Sequence, residues 1–144
     1  MGAKLDYKSL LQYRDNMAKL NGAQTQYFIE AAVKELAARL LRKAAKLTPV
    51  GRYPAGSGKT GGTLRRNWTI GKVVNVGRGC SVEVINPTSY AMYVEFGHCT
   101  RGRRGWVDGR FMLTISEQEL KRDSPRILQN KLNKFVREVV NADK

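Results

Sequence analysis

The chain is poor in the residues that usually carry chemistry: one histidine, two cysteines and only 12 acidic side chains among 144 residues. Two cysteines cannot build a disulfide framework, and the spacing of Cys80 and Cys99 matches no zinc signature, so both read as buried thiols. His98 precedes Cys99, but neighbours on an extended segment point to opposite sides, so a thiolate–imidazole pair does not follow. Too few Cys and His are present for a four-ligand zinc site, and no metal, cofactor or catalytic residue is expected. No run approaches the roughly 18 apolar residues that span a bilayer, and the N-terminus lacks the short apolar block of a secretion signal. Synthesis in the cytoplasm and no membrane partner are therefore expected.

Of the residues present, 42% are hydrophobic and 26% charged, ordinary values for a folded chain. The length suits a single domain covering residues 1–144. The charge is not ordinary: 26 Lys and Arg against 12 Asp and Glu leave a formal net charge of +14. Such a field attracts polyanions, whether acidic protein surfaces or nucleic acid.

Leu10, Met17 and Leu20 suggest a short helix over residues 6–20, with Asp6 as N-cap and Asn21-Gly22 as stop. From Gln24 to Leu47 the positions Ile29, Val33, Leu36, Leu40, Ala44 and Leu47 recur at three and four, supported by Glu30–Lys34 and Glu35–Arg39 pairs. Thr48-Pro49 ends this helix. Residues 51–62 are glycine-rich and read as a mobile loop. Alternation at Trp68 and Ile70, and again at Val82 and Val84, predicts a β-hairpin turning across residues 75–79. Residues 89–96 predict a short helix capped by Ser89 and closed by Gly97. A second glycine-rich, basic loop covers residues 97–110, a helix runs over residues 111–121, and Ser124-Pro125 starts a separate last helix. In that helix Leu128, Leu132, Phe135, Val136 and Val139 form the buried stripe, with Lys131, Lys134, Arg137 and Glu138 facing water. The result is an α+β fold: a small antiparallel sheet against a long helix, flanking N- and C-terminal helices, and two long glycine-rich loops.

The string GSGKTGG invites a phosphate-loop reading, but Tyr53 stands where the leading glycine is needed, Pro54 interrupts, and a strand rather than a helix follows. The carboxylates of Glu83, Glu95 and Asp108 read as ion-pair partners in a basic chain. Arg65 and Arg66, and the set Arg101, Arg103, Arg104 and Arg110 around Trp106, are more informative. Guanidinium groups grip phosphate bidentately and an adjacent aromatic can stack on a base, which makes a basic nucleic-acid-binding module one reading. Contact with acidic partner surfaces by loops that order on docking is the other, and stands ahead of it.

Thr48-Pro49-Val50, then Gly62-Thr63-Leu64-Arg65-Arg66-Asn67-Trp68, then Tyr90-Ala91-Met92-Tyr93-Val94-Glu95-Phe96-Gly97, and finally Gly109-Arg110-Phe111-Met112-Leu113 form a recognisable series. Over about residues 25–122 the chain resembles the phage tail-component family typified by gene product ten of the Hong Kong ninety-seven phage. Asn67 replaces a common serine, His98 the usual threonine, and a proline before Phe111 is absent. The resemblance implies a virion protein without catalytic activity, located at the head–tail junction and assembled in the host cytoplasm. It implies a homo-oligomeric ring that meets the head connector or adaptor and tail-tube or tail-terminator proteins, with contact to packaged DNA possible. The candidate interaction residues are Arg52, Tyr53, Lys59, Arg65, Arg66, Glu95, Arg101, Arg103, Arg104, Trp106 and Arg110.

Overall fold

The computed structural model describes residues 22–77 and 79–141, so the short helix expected over residues 6–20 lies outside the described residues. Helix α1, Gly22–Leu47, is rich in Ala, Leu, Lys and Arg, all strong helix formers. Gly22, expected as half of a stop signal, is already helical. The end comes where expected, because Pro49 disfavours helical backbone at Thr48. The deepest positions are the small ones, Ala32, Ala37 and Ala44, while Ile29, Val33, Leu36 and Leu40 are half-buried and Leu47 is exposed. Glu35 pairs with Arg39 at 3.0 Å. Glu30 instead accepts from Gln26 Nε2 at 3.2 Å.

The two C-terminal helices expected from Ser124-Pro125 are one helix, α4, Met112–Asn141, with Pro125 in its interior. Proline removes the N–H that would have reached the Lys121 carbonyl, and Ser124 Oγ donates to that same carbonyl at 3.1 Å. The hydroxyl replaces the lost donor and the helix continues. Its antiparallel course along α1 is marked by Lys43–Glu119 at 2.9 Å, Lys131–Glu35 at 2.8 Å, and the stacked rings of Phe28 and Phe135 at 4.6 Å. Lys131, expected on the wet face, is thus half-buried in an ion pair, while Leu128 and Leu132, expected in the buried stripe, are exposed.

Between these helices lie α2 (Thr63–Arg66), β1 (Thr69–Ile70), β2 (Val74–Val76), β3 (Gly79–Ser81), β4 (Val84–Ile85), α3 (Ala91–Phe96), β5 (Gly97–Cys99) and β6 (Trp106–Asp108). The expected hairpin forms, but in two ladders. Thr69 and Ile70 face Ile85 and Val84, and Val74, Asn75 and Val76 face Ser81, Cys80 and Gly79. The Gly71 N–H reaches the Glu83 carbonyl at 2.8 Å, extending the first ladder by one residue. Lys72, Val73 and Val82 lie between the two ladders and belong to neither.

Residues 97–110, expected as an irregular loop, are instead largely a second hairpin: Gly97, His98 and Cys99 face Asp108, Val107 and Trp106. Trp and Val favour the extended state, and the tip turns through Gly102 at φ 85° and Arg103 at φ 55°. Residues 51–62 contain no helix or strand. Helix α3 closes at Gly97, φ 89°, as expected. Its N-cap is Tyr90, without a side-chain bond, and not Ser89; the Ala91 N–H bonds the Thr88 carbonyl at 3.0 Å. The core gathers Ala44 of α1, Leu64 of α2, Trp68 and Met112 of α4, flanked by Leu41, Val84, Val94 and Leu113.

Candidate functional site

Thr48, one residue past α1, ties three segments together. Its hydroxyl donates to the Ala44 carbonyl at 2.6 Å and accepts from the Trp68 indole at 2.7 Å. Its carbonyl accepts both Nη2 and Nε of Arg65, at 2.7 and 3.2 Å. A guanidinium is well placed there, because the end of a helix carries partial negative charge. Arg65, one of the candidate interaction residues, remains exposed while its guanidinium braces this carbonyl. Arg66 Nη1 reaches back to the Gly61 carbonyl at 3.2 Å, bracing the end of the first loop.

Glu95 is buried, and it pairs with backbone rather than with a cation. Its Oε2 accepts the Leu113 N–H at 2.9 Å, and its Oε1 accepts the Thr114 N–H at 2.8 Å and the Thr114 hydroxyl at 2.7 Å. A carboxylate from α3 thus satisfies orphan donors of the first turn of α4, where the helix dipole favours negative charge. Glu83 and Asp108, the other carboxylates expected to pair, are exposed, and neither has an ion pair among the described residues.

The same junction is held by backbone contact. The N–H groups of Arg110 and Phe111 bond the carbonyls of Val94 and Glu95 at 2.7 and 3.0 Å. A Cβ at Gly109 would lie 2.3 Å from the Glu95 carbonyl oxygen, and one at Gly97 would lie 2.5 Å from the Val107 oxygen. Phe111 holds φ 48°, turning the chain from β6 into α4. Sequence reasoning singled out Thr48, Gly109 and Phe111 as parts of the motif series but did not name them as organising residues.

Outside this scaffold, α3 presents Met92, Tyr93 and Phe96 to solvent, Met92 at 71% exposure. The Phe96 ring meets Phe111 edge-on at 6.4 Å. Ile85, Met92, Phe96 and Leu113 border a hollow of about 340 Å³ floored by Trp68 and Met112, with Glu117 also in its lining. At the tip of the second hairpin Arg101, Arg103 and Arg104 are exposed. Arg52, Tyr53 and Lys59 lie exposed on the first loop, the Lys59 ammonium 5.8 Å from the Tyr53 ring centre. Trp106 and Arg110 are exposed as well.

Cys99 is exposed and Cys80 half-buried, so neither is the buried thiol expected. His98 Nδ1 is buried without a hydrogen-bond partner, and the ring centre lies 5.9 Å from that of Tyr93. Among the described residues no group of three or more His, Cys, Asp or Glu could hold a metal ion, and no helix is long and apolar enough to cross a membrane.

A family model described as "Bacteriophage HK97-gp10, putative tail-component" matches residues 12–97, more than half of the chain. The match begins earlier than the resemblance read from the motifs and ends at Gly97. No curated protein and no solved structure matches.

Proposed function

Because the chain belongs to the phage tail-component family typified by gp10 of bacteriophage HK97, we propose that it is a structural protein of the head–tail junction, acting by closed ring assembly with its own copies and by docking to neighbouring virion proteins. The observation that carries this reading is the exposed apolar set Met92, Tyr93 and Phe96 on α3, continued by Phe111, with Met92 and Phe96 bordering the hollow over Trp68 and Met112. A contiguous apolar patch of that kind marks a protein contact. The patch is also rigidly aimed: Glu95 and Gly97, on either side of Phe96, fasten α3 to α4 and to β6. A ring needs such a fixed surface meeting a different surface of the next copy, a head-to-tail contact that closes on itself. The work is binding and fit, without a chemical step.

Particles assembled without this protein test the reading. Under negative stain they should show full heads apart from tails, or tails of aberrant length. Complete, infectious particles would refute it.

A further inference from the structure

We propose that the tip of the β5–β6 hairpin contacts the phosphate backbone of duplex DNA without reading its sequence. The proposal rests on the junction reading, since DNA crosses such a junction. Three observations favour it. First, the tip is built rather than loose: the Thr100 N–H bonds the Gly105 carbonyl and the Arg103 N–H the Thr100 carbonyl, both at 2.9 Å. With these backbone groups paired internally, the guanidinium groups of Arg101, Arg103 and Arg104 face outward, each with five N–H donors.

Second, their charge is uncompensated. Ion pairs among the described residues engage Glu35, Glu119 and Asp123 on the helix pair, and Glu95 is turned onto α4. None involves the tip arginines. Third, residues 100–105 carry no apolar side chain. A protein interface is organised around a desolvated apolar or aromatic anchor, whereas phosphate contact needs only charge and donors. The nearest aromatic, Trp106, opens β6 at 59% exposure, and its Cζ2 lies 2.8 Å from where a Cβ on Gly97 would stand, so its ring leans toward the base of the hairpin. The lack of an apolar side chain within residues 100–105 themselves places DNA ahead of an acidic protein partner for the tip, reversing the order suggested by the sequence.

The test is the salt dependence of binding to a short duplex of random sequence, followed by fluorescence anisotropy. The wild-type chain is compared with R101Q/R103Q/R104Q and with a charge-matched control on α4, K121Q/K134Q/R137Q. The hairpin variant should lower the log–log slope by about 2.7 units, three phosphate contacts at about 0.9 each, and the control by less than about 1. Circular dichroism verifies folding, and if the triple variant is misfolded the single substitutions, each expected to remove about 0.9 units, replace it. Equal changes in the two triple variants would overturn the proposal, as would no duplex binding by the wild-type chain at low salt, the result expected if the arginines meet an acidic protein. Failure here leaves the phenotype of particles lacking the protein untouched, whereas complete particles refute the junction reading whatever the slope.

Discussion

Glu95 and Thr114 are joined twice, the Oε1 of Glu95 accepting both the backbone N–H and the hydroxyl of the threonine. That pair fixes the start of α4 against the end of α3. Glu95→Ala leaves half-buried donors at Leu113 and Thr114 without their acceptor and should cost about 1–3 kcal/mol in urea denaturation, with Glu95→Gln between it and the wild type. A loss below about 0.5 kcal/mol for the alanine variant would show that the cap does not hold the junction.

Thr48→Val keeps the shape of the side chain but leaves the Trp68 indole N–H buried without its acceptor. The expected destabilisation is about 1–3 kcal/mol, with a shifted Trp68 emission. Combining Thr48→Val with Trp68→Phe should give less than the sum of the single effects, since both remove one bond.

Glycine substitutions should separate by crowding. Gly56 has φ 83° and nothing within 4 Å of where a Cβ would stand, so Gly56→Ala meets only the left-handed backbone penalty of about 1–2 kcal/mol. Gly97→Ala adds a clash with the Val107 carbonyl to the same penalty, and Gly109→Ala drives a methyl into the Glu95 carbonyl. Thermal melting should place both well below Gly56→Ala.

Pro125→Ala restores the missing helical donor to the Lys121 carbonyl, which Ser124 now serves. The variant should be more stable by up to about 3 kcal/mol, and Ser124→Ala should weaken the wild type but not the Pro125→Ala background. Denaturation of the four combinations measures this directly.

The carboxyl of Glu35 is held below its ordinary range, first by the hydrogen bond from Lys131 and then by that from Arg39. A depressed folded value means that its stabilising effect is complete above the unfolded value of about 4.3 and is lost as pH falls through the lower folded value. Melting curves of wild type and Glu35→Gln should therefore differ at pH 7 and converge in strong acid.

Features set by local chemistry were legible in the sequence. The periodicity of α1, its end before Pro49 and the closure of α3 at Gly97 each depend on a few neighbouring residues. What was missed depends on distant partners. Ser124-Pro125 looks alike at a helix start and in an interior; the continuation is supported by Lys131 meeting Glu35 and Phe135 meeting Phe28 on a helix far back in the chain. The second hairpin hides strands of three residues among glycines and arginines, and its base is set by the close approach of Gly109 to Glu95. Of the candidate surface, the arginines were visible by type. The bonds that tie the exposed Arg65 to Thr48 and the buried Glu95 to Thr114 were not, because these partners meet only after folding.

Among the described residues every strand has a single hydrogen-bonded neighbour, since the sheets are three separate two-strand ribbons. Among the described residues each strand therefore has one flank that no second strand covers, the kind of edge that invites stray pairing. The excess positive charge of the chain opposes such encounters by mutual repulsion, and dissolved ions weaken that repulsion. Keeping solitary copies apart before they meet their proper neighbours is thus partly a matter of ionic strength.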